Sequence, residues 1–318
     1  MTTGRAKLAG VMGWPVGHSL SPLLHGYWLT THAIDGAYVP LAVKPEDFAD
    51  AVRMLPKLGF AGANVTIPHK QAAMACVDEL DEVAARIGAV NTIVVRRDGR
   101  LWGTNTDAYG FLENLKAKHP AWDPAAGPAV VIGAGGAARA VVVALLDAGV
   151  ASVRLTNRSR ERADALARDL QSDLASPKIL QSDLASPKIL QRDLASPKIL
   201  QSCLASPKIE VTDWDLRSVS LAGAGLLVNT TSLGMTGQPA LDLDLAHLPK
   251  DAAVYDIVYV PLETDLLKAA RAAGHPTIDG IGMLLHQARP GFAAWFGIEP
   301  AVDQALTTYV LSAAGAGT

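Results

Sequence analysis

Three short stretches carry side chains whose types and spacing suit chemistry. In GANVTIPHK (62–70) a strand expected over 63–67 ends at Pro68 and turns into a helix. Proline suits the first helical position, because its missing N–H has no intrahelical partner there. Lys70 then falls in the first turn, where the helix's partial positive charge favours Asp or Glu over a cation. An ammonium kept in such a place points to a chemical task. Along 63–67 side chains alternate faces, so Asn64 and Thr66 share one side. That polar stripe leading into Lys70 suits hydrogen bonding to a polyol, and an ordinary half-exposed strand looks the same. In HSLSP (18–22), Ser21 reads as a helix N-cap ahead of Pro22. With Ser19 it puts two hydroxyls at a helix N-terminus, which suits a carboxylate, although the cap alone explains them.

The third stretch is Gly133-Ala134-Gly135-Gly136-Ala137-Ala138, a G-x-G-x-x-A run after an apolar strand and before an apolar helix. Glycine is needed where the turn is tight and the backbone approaches a pyrophosphate, and the helix N-terminus binds the anion. The tip of the following strand decides the cofactor. An Asp or Glu there would hold a ribose 2′-hydroxyl, but the chain reads Asn157-Arg158-Ser159 with Arg162 one turn later. Two guanidinium groups and a hydroxyl suit a 2′-phosphate, so NADP is favoured over NAD. Asn91 and Asp107 are polar, yet a strand start and a helix N-cap account for them.

These stretches need elements to position them. Strand and helix patterns alternate over the first hundred residues: strands at 8–13 and 37–43, helices at 21–33 and 45–59. A hairpin follows over 89–105 around Asp98-Gly99, and a helix from Asp107 to about Lys118. Residues 119–128 read as a linker. Residues 129–159 form one strand–helix–strand unit of a parallel sheet, with further strands near 226–235 and 252–261 and helices at 263–274 and 283–297. Residues 171–210 are a ten-residue unit in four near-copies, QSDLASPKIL and variants. A proline every ten residues forbids one long helix, so the array is expected to be a surface excursion without catalytic role, carrying Cys203 with it.

With 318 residues, about two domains are expected. A net charge of −3 offers no electrostatic case for nucleic acid or an anionic membrane. No signal-like or membrane-length apolar run is present, two cysteines make no disulfide framework, and eight scattered histidines show no metal-ligand spacing. A cytoplasmic globular protein without a metal is the expectation.

HSLSP, GANVTIPHK, GAVNT, GTNTDAYG, GAGGAARA, NRS and GMLLHQA, in this order and spacing, resemble the NADP-dependent shikimate dehydrogenase family over the whole chain except the repeat array. The resemblance implies a two-domain α/β fold. A substrate domain would take 1–107 and 281–318, and a Rossmann-type NADP-binding domain with a parallel sheet would take 108–280. It implies a small-molecule substrate, reversible reduction of 3-dehydroshikimate to shikimate in aromatic amino-acid biosynthesis, and a monomer or homodimer. Ser19 and Ser21 would hold the substrate carboxylate, and Asn64, Thr66, Asn91, Asp107 and Gln287 the ring hydroxyls, with Tyr259 reaching the substrate as well. Lys70 and Asp107 would be the catalytic pair. The helix terminus would favour the neutral amine, while Asp107 favours the ammonium and orients it, poising Lys70 to give and take a proton. Residues 133–138 would carry the pyrophosphate, Asn157, Arg158, Ser159 and Arg162 the 2′-phosphate end, and Thr230, Met235, Gly282 and Met283 the nicotinamide end.

Competing readings are a quinate/shikimate or aminoshikimate dehydrogenase on the same fold, a dinucleotide-binding regulator without chemistry, and an interaction scaffold built on the decapeptides. Arg158 and Arg162 argue against NAD-preferring relatives. Lys70 and Asp107 together argue against a regulator, which needs neither.

Overall fold

The computed structural model describes residues 2–174 and 208–315. The middle of the decapeptide array, 175–207 with Cys203, lies outside the described residues. The described chain forms two compact units: Met1–Lys118 with Gly280–Thr318, and His119–Asp279.

The first unit begins β1 (Lys7–Gly13), α1 (Ser21–Thr31), β2 (Gly36–Ala42), α2 (Phe48–Met54) and β3 (Phe60–Val65). It continues β4 (Glu79–Leu80), α3 (Glu82–Ile87), β5 (Thr92–Val95), β6 (Leu101–Thr104) and α4 (Asp107–Lys118). Its sheet runs β2-β1-β3-β5-β6-β4, with β1 parallel to β2 and β3, and β5 antiparallel to β3 and β6. Met12, Ala63 and Val65 of the sheet bury against Phe48, Val52 and Leu55. Each such large apolar side chain contributes about 1.5–3 kcal/mol on burial. The second unit holds β7 (Ala129–Ile132), α5 (Gly136–Asp147), β8 (Ser152–Thr156), α6 (Arg160–Leu174), β9 (Lys208–Thr212), β10 (Leu226–Asn229), β11 (Ala253–Asp256), α7 (Asp265–Ala272) and β12 (Thr277–Ile278). Its all-parallel sheet has the order β12-β11-β10-β7-β8-β9. The strand order reverses between β10 and β7, and ligands of such sheets bind beyond the strand ends at that point. The chain then returns to the first unit with α8 (Ile281–Phe296) and α9 (Gln304–Gly315).

Four local expectations differ from the structure. The helix expected over 45–59 is a 3₁₀ turn (Pro45–Asp47) and α2, which stops at Met54. Pro56 lacks an N–H and its ring crowds the preceding turn. No α-helix starts at Pro68. The chain turns through 66–71, and a 3₁₀ helix follows at Ala72–Cys76. The Ile67 carbonyl accepts from the Trp14 N–H (3.1 Å) and the Lys70 carbonyl from the Val90 N–H (2.8 Å), so neither can join a helical ladder. Ser21 is the first residue of α1 rather than its cap, and Leu20 takes the cap position without a side-chain bond. Finally, α4 belongs to the first unit instead of opening the second at 108. A methyl on Gly110 would lie 2.6 Å from Gln287 Cβ, and one on Gly282 would lie 1.9 Å from Asn114 Oδ1. The two helices meet almost backbone to backbone, and that contact binds α4 to α8.

Candidate active site

Lys70 is set by the turn that replaces the expected helix. Its neighbour His69 is buried, stacked on Phe48 at 4.3 Å, with a ring nitrogen 2.7 Å from the Val43 carbonyl oxygen. With His69 anchored inward, Lys70 extends to Asp107, its Nζ 2.5 Å from Oδ2. The Asp107 side chain is 9% exposed and that of Lys70 23%. Asp107 opens α4 but does not cap it. Asn105 Oδ1 accepts the Asp107 N–H at 3.0 Å, leaving the Asp107 carboxylate free for Lys70 and for Asn91. Asn91 Nδ2 donates to Asp107 Oδ1 (2.7 Å) and to Thr106 Oγ1 (3.1 Å), and Gln287 Oε1 stands 3.4 Å away. Asn91 Oδ1 in turn accepts the Thr106 N–H at 2.9 Å. A carboxylate gripped on one oxygen by an ammonium and on the other by a braced amide cannot rotate. It holds the amine at one place.

A second strand of the network starts at Asn64, on β3. Its Nδ2 donates to the Asn91 carbonyl (3.1 Å) and Thr92 Oγ1 (3.0 Å), and its Oδ1 accepts the Tyr38 hydroxyl at 2.6 Å. The Ser21 hydroxyl hydrogen-bonds the same phenol, and burial pushes the Tyr38 pKa well above its ordinary value, so the hydroxyl stays a donor. Ser19 Oγ accepts the Ser21 N–H at 3.3 Å. Thr66 lies half-buried beyond β3, next to Gly13, where a side chain would collide with the Thr66 methyl. The structure therefore joins Ser19, Ser21, Asn64, Asn91, Lys70, Asp107 and Gln287 into one region of the first unit.

The remaining expected residues divide differently. Gly133, with φ +114° and 2.6 Å between a would-be Cβ and Thr230 Oγ1, makes the tight turn after β7. Gly135 and Gly136 are exposed with nothing within 4 Å of a would-be Cβ, and they lead into the N-terminus of α5 with Ala134, Ala137 and Ala138 alongside. At the tip of β8, Asn157 Nδ2 donates to the Ser159 carbonyl (2.8 Å) and Ser159 Oγ to Glu161 (2.8 Å). Arg158 and Arg162 are exposed, and among the described residues no carboxylate pairs with either, whereas Arg160 pairs with Asp213. Open backbone amides and two unpaired guanidinium groups fit a dinucleotide with a 2′-phosphate. Thr230 follows β10, its hydroxyl donating to the Ile132 carbonyl at 2.7 Å, and Met235 is 39% exposed. Tyr259 lies beyond β11, where burial raises its pKa. Gly282 and Met283 sit on α8 in the first unit, packed against α4. Among the described residues no group of His, Cys, Asp and Glu could hold a metal.

Comparison with known proteins gives the family. Residues 11–93 match the model of the shikimate dehydrogenase substrate binding domain, and 117–223 that of shikimate / quinate 5-dehydrogenase. A shikimate dehydrogenase (NADP(+)) of Paramagnetospirillum magneticum is 57% identical over 98% of this chain and all of its own length. The chain belongs to the shikimate dehydrogenase family. Among solved structures, the family's Thermus thermophilus enzyme in complex with NADP(H) and shikimate is 33% identical, covers 98% of this chain with 100% of its own, and has a TM-score of 0.75. Quinate dehydrogenase from Corynebacterium glutamicum in complex with NAD is 30% identical, with coverages of 96% and 99% and a TM-score of 0.80. No helix among the described residues is long and apolar enough to cross a membrane.

Within this region of the first unit, several residues escape the sequence reading. Tyr38, Thr92, Asn105 and Thr106 brace the residues it names. The polar run Asn105-Thr106 directly before Asp107 is the signal that could have found two of them. His25 escapes as well: it is fully buried, stacked on Tyr38 at 3.9 Å, and neither ring nitrogen has a partner among the described residues. Burial pushes its pKa down to about 3, so the imidazole is neutral and acts as a flat apolar support for the phenol.

Proposed function

We propose that this chain reversibly reduces 3-dehydroshikimate to shikimate with NADPH, and that Lys70 moves the proton. The observation that carries the reading is the Lys70–Asp107 pair, held on its second oxygen by Asn91. NADPH, when bound, supplies the hydride. Lys70, as the ammonium, gives a proton from Nζ to the carbonyl oxygen as negative charge develops there, and takes it back when shikimate is oxidised. Asp107 keeps the amine aimed and stabilises the ammonium between turnovers. Ser19 and Ser21 take the substrate carboxylate, while Asn64, Thr66, Asn91, Asp107 and Gln287 take the ring hydroxyls. Asn64 has both amide hydrogens committed, so it meets a hydroxyl as an acceptor.

Gly133 to Ala138 hold the pyrophosphate. Asn157, Arg158, Ser159 and Arg162 hold the adenosine 2′-phosphate, and Thr230, Met235, Gly282 and Met283 belong to the nicotinamide end. Tyr259 belongs to the substrate. In this reading the first unit is the substrate domain, the second is the NADP domain, and the enzyme works in the cytoplasm. The likeness to a quinate dehydrogenase supports a second reading in which quinate is also accepted.

One grid of assays tests both: oxidation of shikimate and of quinate, each with NADP and with NAD. Shikimate with NADP is expected to give the largest kcat/KM. A preference for quinate with NAD overturns the first reading in favour of the second.

A further inference from the structure

We infer that Asp256 is a positioning residue, a single buried carboxylate tying together the two loops that carry Thr230, Met235 and Tyr259. The inference rests on the function proposed above only for what those three residues do. The tie itself is visible in the second unit alone.

Asp256 is the last residue of β11 and is 0% exposed. Its Oδ1 accepts from Asn229 Nδ2 (3.0 Å) and from the Val258 N–H (3.1 Å), and its Oδ2 accepts the Thr264 hydroxyl (2.7 Å). Each donor fixes a different stretch. Asn229 ends the neighbouring strand β10, and its Oδ1 accepts the Thr231 N–H (3.0 Å) and hydroxyl (2.8 Å). Its amide also donates to the Leu233 carbonyl at 3.2 Å, so the turn from Thr230 toward Met235 is folded around this one side chain. Val258 immediately precedes Tyr259. Thr264 caps α7 by accepting the Leu267 N–H at 3.3 Å, so the same hydroxyl that reaches Asp256 also starts that helix. A backbone bond from the Thr236 N–H to the Val260 carbonyl (2.9 Å) then laces the two loops to each other.

No cation among the described residues pairs with Asp256, and burial raises its pKa to about 6. A carboxylate without a counter-charge is a costly way to fill a core position. Its return here is geometric, because one acceptor with two oxygens gathers three donors from two loops and a helix start. An apolar residue of similar volume would leave those donors unpaired.

The test is Asp256→Asn in the full chain, which keeps the size but presents an N–H₂ to a donor. The tie does not reach the tip of β8, which carries Asn157, Arg158, Ser159 and Arg162. Loss of kcat/KM for shikimate should therefore be roughly 10–100-fold, the scale of a misplaced active-site group. Binding of adenosine 2′,5′-bisphosphate, measured by calorimetry, should change less than about twofold, as for sites that share no partners. Hydrogen exchange should quicken together in 230–236 and 257–261 and stay unchanged in 153–162, at the tip of β8. Thr264→Val should repeat this pattern in weaker form, and Thr264→Ser should restore the wild-type values, which covers the case of an Asp256→Asn chain that fails to fold. Wild-type kinetics and exchange in both Asp256→Asn and Thr264→Val overturn the inference. So does an equal loss at the bisphosphate site, which marks general destabilisation. A wild-type enzyme inactive on shikimate and quinate alike would instead sink the proposed function, and the exchange pattern would still decide the tie.

Discussion

The first unit and the second build their polar sites in opposite ways. Around Lys70 the candidate functional atoms are on side chains, many of them braced by other side chains: Asn105 frees Asp107, Asn91 braces it, and Tyr38 braces Asn64. After β7 the functional atoms are backbone amides, and Gly135 and Gly136 face open space. One site needs many residues to agree, while the other needs mainly the absence of side chains. The contrast follows from the ligands proposed for the two sites. A proton must be delivered to one oxygen, which calls for an amine with no freedom to wander. A pyrophosphate spreads its charge over several oxygens and is met by a row of N–H groups and a helix end.

The largest effect expected from breaking either site lies with Lys70. Lys70→Ala should lower kcat by roughly 10²–10⁴-fold, the usual worth of general acid–base help, while KM for shikimate moves far less. Stopped-flow or steady-state reduction of NADP with shikimate reads the split. If KM alone rises and kcat holds, Lys70 binds substrate and some other group handles the proton.

Much of the second site was legible because backbone requirements are written locally. The glycine run, the apolar strand before it and the Asn157-Arg158-Ser159 tip sit within one strand–helix–strand unit. The hairpin around Asp98-Gly99 was legible for the same reason, with Gly99 at φ +84°. The first site was legible as a set of motif residues but not as a mechanism of support. Lys70 was expected on a helix N-terminus, and that premise fails because Trp14 and Val90, distant in sequence, claim the carbonyls a helix would need. Placing Lys70 off a helix end removes the dipole argument, and the Asp107 contact alone orients the amine. Tyr38 sits in a strand whose alternation looks ordinary, and nothing near it in sequence announces Asn64 or His25. The end of α2 at Pro56 was a local signal that the sequence reading passed over.

The arginines sharpen the comparison, since they are the one place where the second site relies on side chains. Charge-assisted hydrogen bonds contribute about 1.5–3 kcal/mol. Because Arg158 and Arg162 are exposed, the lower half of that range is the fair expectation. The double change Arg158→Ala/Arg162→Ala should lower the preference for NADP over NAD by roughly 10–100-fold and leave kcat with saturating cofactor intact. Unchanged preference would return the 2′-phosphate to Asn157 and Ser159.

Two glycines separate turn geometry from ligand access. Gly133→Ala forces a methyl onto a positive φ and against Thr230, so a stability loss of about 1–3 kcal/mol is expected. Gly135 has φ −92°, and a methyl there meets no protein atom within 4 Å. Gly135→Ala should melt like the wild type yet raise KM for NADPH roughly tenfold, about 1.4 kcal/mol. A Gly135→Ala enzyme with normal KM would mean that the pyrophosphate does not approach that backbone.

The two units also differ in how they answer acid. His25, in the first unit, has a folded pKa of about 3 against an ordinary 6.5, because burial resists the imidazolium. Its contribution is complete above about pH 6.5 and is lost as pH falls toward 3, at up to about 1.4 kcal/mol per pH unit. Asp256, in the second unit, is shifted the other way, from 3.8 to about 6. Its contribution is complete below about pH 3.8 and is lost as pH rises through 6, a span of up to about 3 kcal/mol. Between pH 6.5 and 4 these two groups therefore weaken the first unit while strengthening the second. Hydrogen exchange corrected for intrinsic rates should show α1 losing protection from pH 7 to 5 before β10 and β11 do. The Asp256→Asn protein, lacking the titrating group, should gain in melting temperature relative to wild type as pH rises from 5 to 8. A relative melting temperature that is flat across that range would mean that the Asp256 carboxyl carries its charge in the fold as easily as in the open chain.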